Sequence, residues 1–374
     1  MTYAVTALLV SASVFLLAAC GKPASNGADR QPAQSAPVIA TVSPPSAPRP
    51  DASLAPVSVP PSAGSTSPLG RAIEQATWPP TSREKDAMRN VLIRAQVLLA
   101  QAHFSPGVID GQPGENMKNA LMAYEGANGL PQDGALKEQV WNKLVQHAGP
   151  VTSDYTLTDP DVAGPFAPQI PTDYDEMAKL DRLSYSSPIE ALAERFHMDE
   201  ALLAALNPGV DFNRAGSTIL VVSPGGSPLQ KIARIEVNKS RKQVLAYGAD
   251  GQLAATYPAS IGSADLPSPS GSWAVRAIAE APTWTYDPSR LSFGDRSGAK
   301  KVIAAGPNNP VGAVWIDLTK DTYGIHGSPD PRLVGKRASH GCVRLTNWDA
   351  RELANAVSKG VPVIFVEAGP PTSA

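Results

Sequence analysis

The sequence predicts a multidomain chain: a mostly β C-terminal domain, a sandwich or barrel with one helix, preceded by a three-helix domain and a small α/β module. The texture of the chain is the first reason. Apolar residues recur at helical spacing after Ala87, whereas short alternating strands separated by turns follow Leu229. Proline is the second. The 374 residues include 37 Pro and 30 Gly with only 18% charged residues, which points to ordered domains joined by Pro-rich connectors rather than one compact body. Length is the third, since 374 residues exceed what one hydrophobic core usually serves. A formal net charge of -2 gives no reason to expect nucleic acid as a partner.

The first element is the apolar run from Val5 to Ala19. It is short for a membrane span and closes on small residues, as export signals do, although no Lys or Arg precedes it. Residues 1–20 are therefore read as a signal, and 21–84, rich in Pro, Ala and Ser without periodicity, as a disordered linker. Leu17-Ala18-Ala19-Cys20 resembles the lipobox of bacterial lipoproteins. That implies lipidation of Cys20 and a membrane anchor in the periplasm, with Gly21 favouring the outer membrane of a Gram-negative bacterium. A plain signal peptide with an incidental cysteine is the alternative.

Removing Cys20 from the account leaves Cys342 without a disulfide partner in the chain. An unpaired thiol in an oxidising compartment is a liability unless it is used. His326 and His340 flank it in sequence, so a cysteine nucleophile with an imidazole base is the chemistry to test. A zinc site built from the same three residues is the competing reading, but a fourth ligand and the usual spacings are missing.

Residues 85–148 read as three helices. Val91, Leu92, Ala95, Leu98 and Leu99 mark the first, Glu115 to Asn128 the second, with Ala120, Leu121 and Tyr124 inward, and Lys137 to Val145 the third. Gln96 to Leu99, Gly107 to Gly111, Tyr124, Asp133-Gly134 and Trp141 to Leu144 make this stretch similar to the three-helix peptidoglycan-binding domain. That family often has Phe-Gln where this chain has Tyr124-Glu125. His103 and His147 lack ligand spacing and are read as surface or capping residues. Residues 149–182, Pro- and Asp-rich, are read as a second linker. Residues 183–224 give two helices, Pro188 to Phe196 and Asp199 to Leu206, an Asn207-Pro208 stop and a strand at Gly216 to Val222. This resembles the LysM glycan-binding module, its opening strand placed at Leu183 to Ser186; a packing extension of the following domain is the alternative.

Residues 229–368 form the β domain, followed by a tail at 369–374. Strands are expected at Arg234 to Asn238, Gln243 to Tyr247, Ala254 to Ile261 and Gly271 to Val275. One helix, Trp348 to Lys359 with Asn347 as N-cap, precedes a last strand at Val361 to Val366. Gly306 to Gly312, Tyr323-Gly-Ile-His-Gly327 and Ala338-Ser-His-Gly-Cys-Val-Arg-Leu345 closely resemble the L,D-transpeptidase catalytic domain of the YkuD type.

The resemblance implies a cysteine acyltransferase of the cell wall. Cys342 would attack the third residue of a peptidoglycan stem, form a thioester and pass the acyl group to an amine, making a 3-3 cross-link. His326 is the implied base, held by a backbone carbonyl at Gly327. His340 would act directly or, preferably, orient other groups if its stretch is extended. Amides around Gly341 and Cys342 would form the oxyanion hole; Arg344 suits a substrate carboxylate, and Ser339, Tyr323 and Gly327 line the substrate. The aromatic region Ala281 to Ala305, containing Trp284, Tyr286 and Phe293, is expected either to cap the site or to be an ordinary surface insertion. No metal or organic cofactor is implied. The partners would be peptidoglycan, a membrane through the lipid anchor and, in one alternative, an envelope lipoprotein. Hydrolysis of the thioester by water, transfer to a lipoprotein lysine, and a non-catalytic wall tether remain as alternatives.

Overall fold

The computed structural model describes residues 64–82, 84–146, 149–290 and 298–367. The expected signal with Cys20, most of the first linker, His147, Phe293 and the C-terminal tail lie outside the described residues. Among the described residues no helix is long and apolar enough to cross a membrane.

Order begins inside the stretch expected to be linker. Helix α1 (Pro68–Glu74) starts on a proline, with the Ser67 hydroxyl accepting from the Gly70 amide. Its Ile73 is fully buried, and its Glu74 carboxylate accepts from the Val151 and Thr152 amides at 2.8 and 2.7 Å. Helices α2 (Lys85–Gln101), α3 (Glu115–Ala127) and α4 (Glu138–Val145) then form the expected three-helix domain. Gln96 fastens the loop between α2 and α3, donating to Asp110 and accepting from the Gly111 amide, both at 2.8 Å.

The second stretch read as linker is also structured. Strand β1 (Thr152–Thr156) is followed by short helices α5 (Asp159–Ala163) and α6 (Tyr174–Met177), then by α7 (Pro188–Arg195), α8 (Glu200–Leu206) and β2 (Thr218–Val222). β1 pairs antiparallel with β2 from Thr152 opposite Val222 to Thr156 opposite Thr218, so the opening strand of this module lies there and not at Leu183 to Ser186. The sequence of β1, Thr-Ser-Asp-Tyr-Thr, hides it. Its Thr152 and Ser153 are both buried polar residues, and Thr152 is satisfied by Glu74, so no apolar alternation marks the strand.

The C-terminal domain is a curled eight-stranded sheet. Its strands are β3 (Arg234–Asn238), β4 (Gln243–Tyr247), β5 (Leu253–Pro258), β6 (Gly271–Glu280), β9 (Val314–Leu318), β10 (Gly324–His326), β11 (Val343–Arg344) and β12 (Pro362–Val366). The order is β11-β10-β9-β6-β12-β3-β4-β5, antiparallel except for the pairs β10–β11 and β3–β12. β6 serves both halves, pairing with β12 through Gly271 to Ala274 and with β9 beyond a bulge at Val275 to Ala277. The bulge lets one strand turn a corner. The sheet's two ends meet where Ser260, just after β5, exchanges two 2.9 Å backbone hydrogen bonds with Arg344. A two-stranded ribbon of β7 (Trp284–Tyr286) and β8 (Lys301–Ile303) lies outside this sheet. Helix α9 (Asn347–Ala356) packs on β9 and β10; Thr346, not Asn347, is its N-cap, accepting from the Asp349 amide at 3.1 Å.

The parts are not spaced along a tether. The loop after α2 adds to the β5 edge through the Thr256 amide to the His103 carbonyl and the Ser105 amide to the Thr256 carbonyl, both 2.9 Å. His103 and Tyr257 both reach Glu352 on α9, at 2.8 Å each. His197 stacks on Trp348 with centroids 4.9 Å apart, and Ile109 and Met198 join α3's loop to α7–α8. Burial holds His197 neutral, its pKa lowered to about 4, which suits a ring used for packing. The expected string of separated domains is thus, across residues 64–367, one packed body.

Candidate active site

Strands β10 and β11 carry the site. Their parallel register sets Ile325 opposite Val343 and His326 opposite Arg344, so Cys342 falls beside Gly324. Side chains alternate across a strand. Ile325 and Val343 enter the barrel core with Val314 and Ile316, whereas Cys342 lies on the opposite face, packed with Trp315, Val311, Met177, Leu183, Trp284 and Ile303. His326 and Arg344 share that outer face.

Cys342 is 3% exposed, and its thiol donates to the Thr322 carbonyl at 3.8 Å. Burial pushes its pKa up to about 11, against smaller opposing effects of the Gly324 backbone and the Arg344 charge. The resting group is a thiol. His326 is equally buried, and burial, reinforced by Arg344, lowers its pKa to about 3, while backbone partners at Gly327 and Val311 work against the shift. The resting ring is neutral. Its Nδ1 lies 2.7 Å from the Gly327 carbonyl, which can only accept, so Nδ1 carries the hydrogen and Nε2 is the basic nitrogen. Trp315, opposite His326 in the antiparallel β9–β10 pair, stacks on the imidazole with centroids 5.2 Å apart and planes at 21°.

The support behind His326 is built from backbone and one amide. Gly327 gives its amide to the Val314 carbonyl, and a Cβ at Gly327 would stand 2.1 Å from Asn347 Oδ1. Asn347 Oδ1 accepts from the Ala313 amide at 2.9 Å, while its Nδ2 donates to both Glu194 oxygens at 2.9 and 3.2 Å and to the Pro307 carbonyl. Burial raises the Glu194 carboxyl to about 7, with the Asn347 amide partly offsetting it.

The approach to Cys342 is a bend and not an extended strand. Ser339 is buried and its amide bonds to the Ile261 carbonyl, but His340 is exposed and Gly341 adopts φ +122°, a left-handed conformation that suits glycine. The expectation that His340 shares a face with Cys342 through extended geometry is therefore not met. His340 Nδ1 instead lies 3.4 Å from Arg344 Nη2. The Gly341 amide is donated to the Ser339 hydroxyl at 3.1 Å, the Gly341 carbonyl accepts from Ser268 at 2.6 Å, and the Ser339 hydroxyl itself reaches the Cys342 carbonyl. These bonds fix the bend. Tyr323 is buried beside the cysteine, its hydroxyl pKa raised to about 12 chiefly by burial.

Comparison with known proteins places the domain that carries these residues. Residues 232–365 match the L,D-transpeptidase catalytic domain model, and residues 89–144 match the model described as a putative peptidoglycan binding domain. The putative L,D-transpeptidase YqjB of Bacillus subtilis is 30% identical over 160 residues, which are 40% of this chain and 83% of that protein. The chain belongs to the L,D-transpeptidase family. The putative L,D-transpeptidase YkuD of Bacillus licheniformis is 28% identical over 176 residues, 47% of this chain and 91% of its own. The probable L,D-transpeptidase ErfK/SrfK of Escherichia coli is 29% identical over 188 residues, 49% of this chain and 60% of that relative. Among solved structures, L,D-transpeptidase 3 from Mycobacterium tuberculosis bearing a faropenem-derived adduct is 18% identical, with a TM-score of 0.30 over 41% of this chain and 75% of that one.

Within this L,D-transpeptidase domain, the residues that sequence reasoning missed lie around the Cys342 face. Thr322, whose carbonyl receives the thiol, has φ +69°, and no residue type signalled that. Trp315, which stacks on His326, lies on β9, a strand that the sequence reading did not place. Tyr174 and Met177 come from the segment read as linker and Leu183 from the expected opening strand of the following module, yet all three join the cluster that contains Cys342. Tyr174 packs edge-on to Trp284, 5.1 Å between centroids, and the Leu183 amide bonds to the Ala305 carbonyl. The aromatic region expected either to cap the site or to be a surface insertion is ordered as the β7–β8 ribbon, packed against α6, with 291–297 outside the described residues. Among the described residues no group of three or more His, Cys, Asp or Glu side chains is placed to hold a metal.

Proposed function

We propose that this chain is a cysteine acyltransferase that forms 3-3 cross-links between peptidoglycan stem peptides. The observation that carries the reading is the shared outer face of β10 and β11. It sets Cys342, Arg344 and a neutral His326 together, with the His326 proton committed to the Gly327 carbonyl. In the first step the Cys342 sulfur bonds to the carbonyl carbon of the stem's third residue as its proton passes to His326 Nε2. The amide bond to the terminal residue then breaks, and that proton leaves on the departing amine. The second step reverses the roles: an acceptor amine attacks the thioester, gives its proton to His326 and restores the thiol.

The Cys342 amide is the proposed oxyanion donor, because the Gly341 amide already serves Ser339. Arg344 is assigned to a substrate carboxylate, Tyr323 and Ser339 to shaping the pocket, and His340 to positioning Arg344 at 3.4 Å. Residues 85–148 serve as the wall-binding domain and 229–368 as the catalytic domain. Residues 183–224, with β1, are proposed as a LysM-like glycan-binding module. Lipidated Cys20 would anchor the protein in the periplasm, and the lysine of an envelope lipoprotein is the alternative acceptor.

A carbapenem mimics the acyl donor. Incubated with the full chain, it should add covalently to the wild type and not to Cys342→Ala in intact-protein mass spectrometry; an adduct on the variant would overturn the nucleophile assignment. Product analysis on defined muropeptides separates the acceptors, because cross-linked dimers identify an amine and trimmed stems identify water.

A further inference from the structure

A cleft of about 520 Å³ lies between the three-helix domain and the barrel, in the size range of ligand sites found at domain interfaces. Its barrel side is made by two loops, the β3–β4 turn at Ser240 to Lys242 and the segment Pro331 to Lys336. Its other side is the loop before α3 and the first turn of that helix. The two sides are tied together directly. Asn116 Nδ2 donates to the Val334 carbonyl at 3.0 Å, Asn119 Nδ2 to the Arg241 carbonyl at 3.2 Å, and Gln243 Nε2 to the Asn119 carbonyl at 3.3 Å. The cleft is therefore formed before any ligand arrives.

Its charge is uneven. Arg241, Lys242, Arg332 and Lys336 all line it from the barrel side, in a chain whose formal net charge is -2. Among the described residues, Arg332 has Asp330 at 3.4 Å as a carboxylate partner, and no ion pair engages Arg241, Lys242 or Lys336. Of the two carboxylates on the helical side, Asp110 is occupied by Gln96 and by the Gln112 amide. Cations held around a preformed concavity favour an anionic ligand by field focusing and by charge-assisted hydrogen bonds.

The cleft is also coupled to the site. The Gly335 amide donates to the Ser260 hydroxyl at 3.1 Å, and Ser260 pairs through its backbone with Arg344 on the strand that follows Cys342. The same segment, Pro331 to Lys336, continues through Ser339 into the bend before the cysteine.

We infer that this interdomain cleft is a second binding site for the carboxylate-bearing peptide of a wall fragment, gripped by the catalytic domain's cations and the three-helix domain together. The inference rests on the reading of the chain as an enzyme of wall peptides. It gives the three-helix domain a role beyond tethering: it completes a subsite that the barrel alone cannot form.

Binding of three soluble fragments to the full chain tests this: a disaccharide-tetrapeptide, the same fragment with its carboxylates amidated, and the disaccharide without peptide. The first should bind, weaken as salt is raised, and outcompete the other two. The Lys242→Glu/Lys336→Glu variant should lose about tenfold in affinity for it while reacting with a carbapenem at the wild-type rate; the milder Lys242→Gln/Lys336→Gln pair should lose less. Unchanged affinity in both variants, or equal binding of the peptide-free disaccharide, overturns the cleft assignment. Absence of the carbapenem adduct on the wild type would instead refute the acyltransferase reading, and the binding arms would still decide whether the cleft holds carboxylate.

Discussion

Two sides of Cys342 are built on opposite principles. On the β10 side, His326 is 3% exposed, stacked on Trp315, and fixed at Nδ1 by the Gly327 carbonyl, which Asn347 backs in turn. On the other side, His340 sits on an exposed bend whose shape is set by Gly341 and whose side chain lies near Arg344. The histidine two residues from the cysteine is thus the solvent-facing one, and the histidine sixteen residues away in the chain is the one built into the wall of the site. Burial fits the proposed division of labour: a base must be neutral to accept a proton, and low dielectric keeps His326 neutral, whereas the exposed His340 is proposed to steer a charged substrate from the solvent side.

The largest expected effect comes from removing the buried ring. His326→Gln keeps a hydrogen-bonding side chain but no base, and should slow acylation of Cys342 by a carbapenem about 10³-fold, with little change in reversible binding. Rapid acylation in that variant would collapse the distinction between the two sides, because the base would then have to be elsewhere. His340→Gln should be milder, about tenfold or less, and should appear in KM for stem peptides more than in kcat, since a residue acting through Arg344 affects placement of the substrate carboxylate. If kcat falls with KM unchanged, His340 takes part in proton transfer and the preferred role is wrong.

How much of this was readable beforehand differs between the same regions. The Cys342 motif, His326 and the carbonyl beside it were legible through the family resemblance, which short contiguous motifs carry, and the structure sets the Gly327 carbonyl 2.7 Å from His326 Nδ1. The bend at His340 was not, because its shape depends on bonds from Ser268 to Gly341 and from Ser339 to Ile261, which join residues some seventy to eighty positions apart. The same holds for the fold. α2 to α4, the strands β3, β4, β5 and β12 and the first half of β6 announce themselves by apolar period, whereas β9, β10 and β11, which carry the site, were not placed as strands. β1 and α1 do not, since a polar strand satisfied by Glu74 and a one-turn-plus helix after a Pro-rich run look like linker until their distant partners are present. Asn347 shows the limit most plainly. The sequence suggested a helix cap, whereas its amide joins Glu194, Ala313 and the backbone that carries the His326 support.

The smallest expected effect is the most discriminating. His326, lowered to about 3, is neutral at any higher pH, and falling pH removes the base only as it passes through that value. Cys342, raised to about 11, stays a thiol until pH rises through its own value. On the proposed mechanism the pair would react as a neutral imidazole and a thiol whose proton moves during attack. Carbapenem acylation of the full chain should accordingly vary by less than about twofold from pH 5 to pH 9, the interval in which an ordinary histidine and an ordinary cysteine would both inflect. His340 is also lowered from 6.5, by partial burial and by Arg344, yet it remains exposed enough to titrate on the acidic side of that value. An acidic limb below 6.5 that vanishes in His340→Gln would assign the base to the exposed side, and a flat profile in both proteins keeps it on His326.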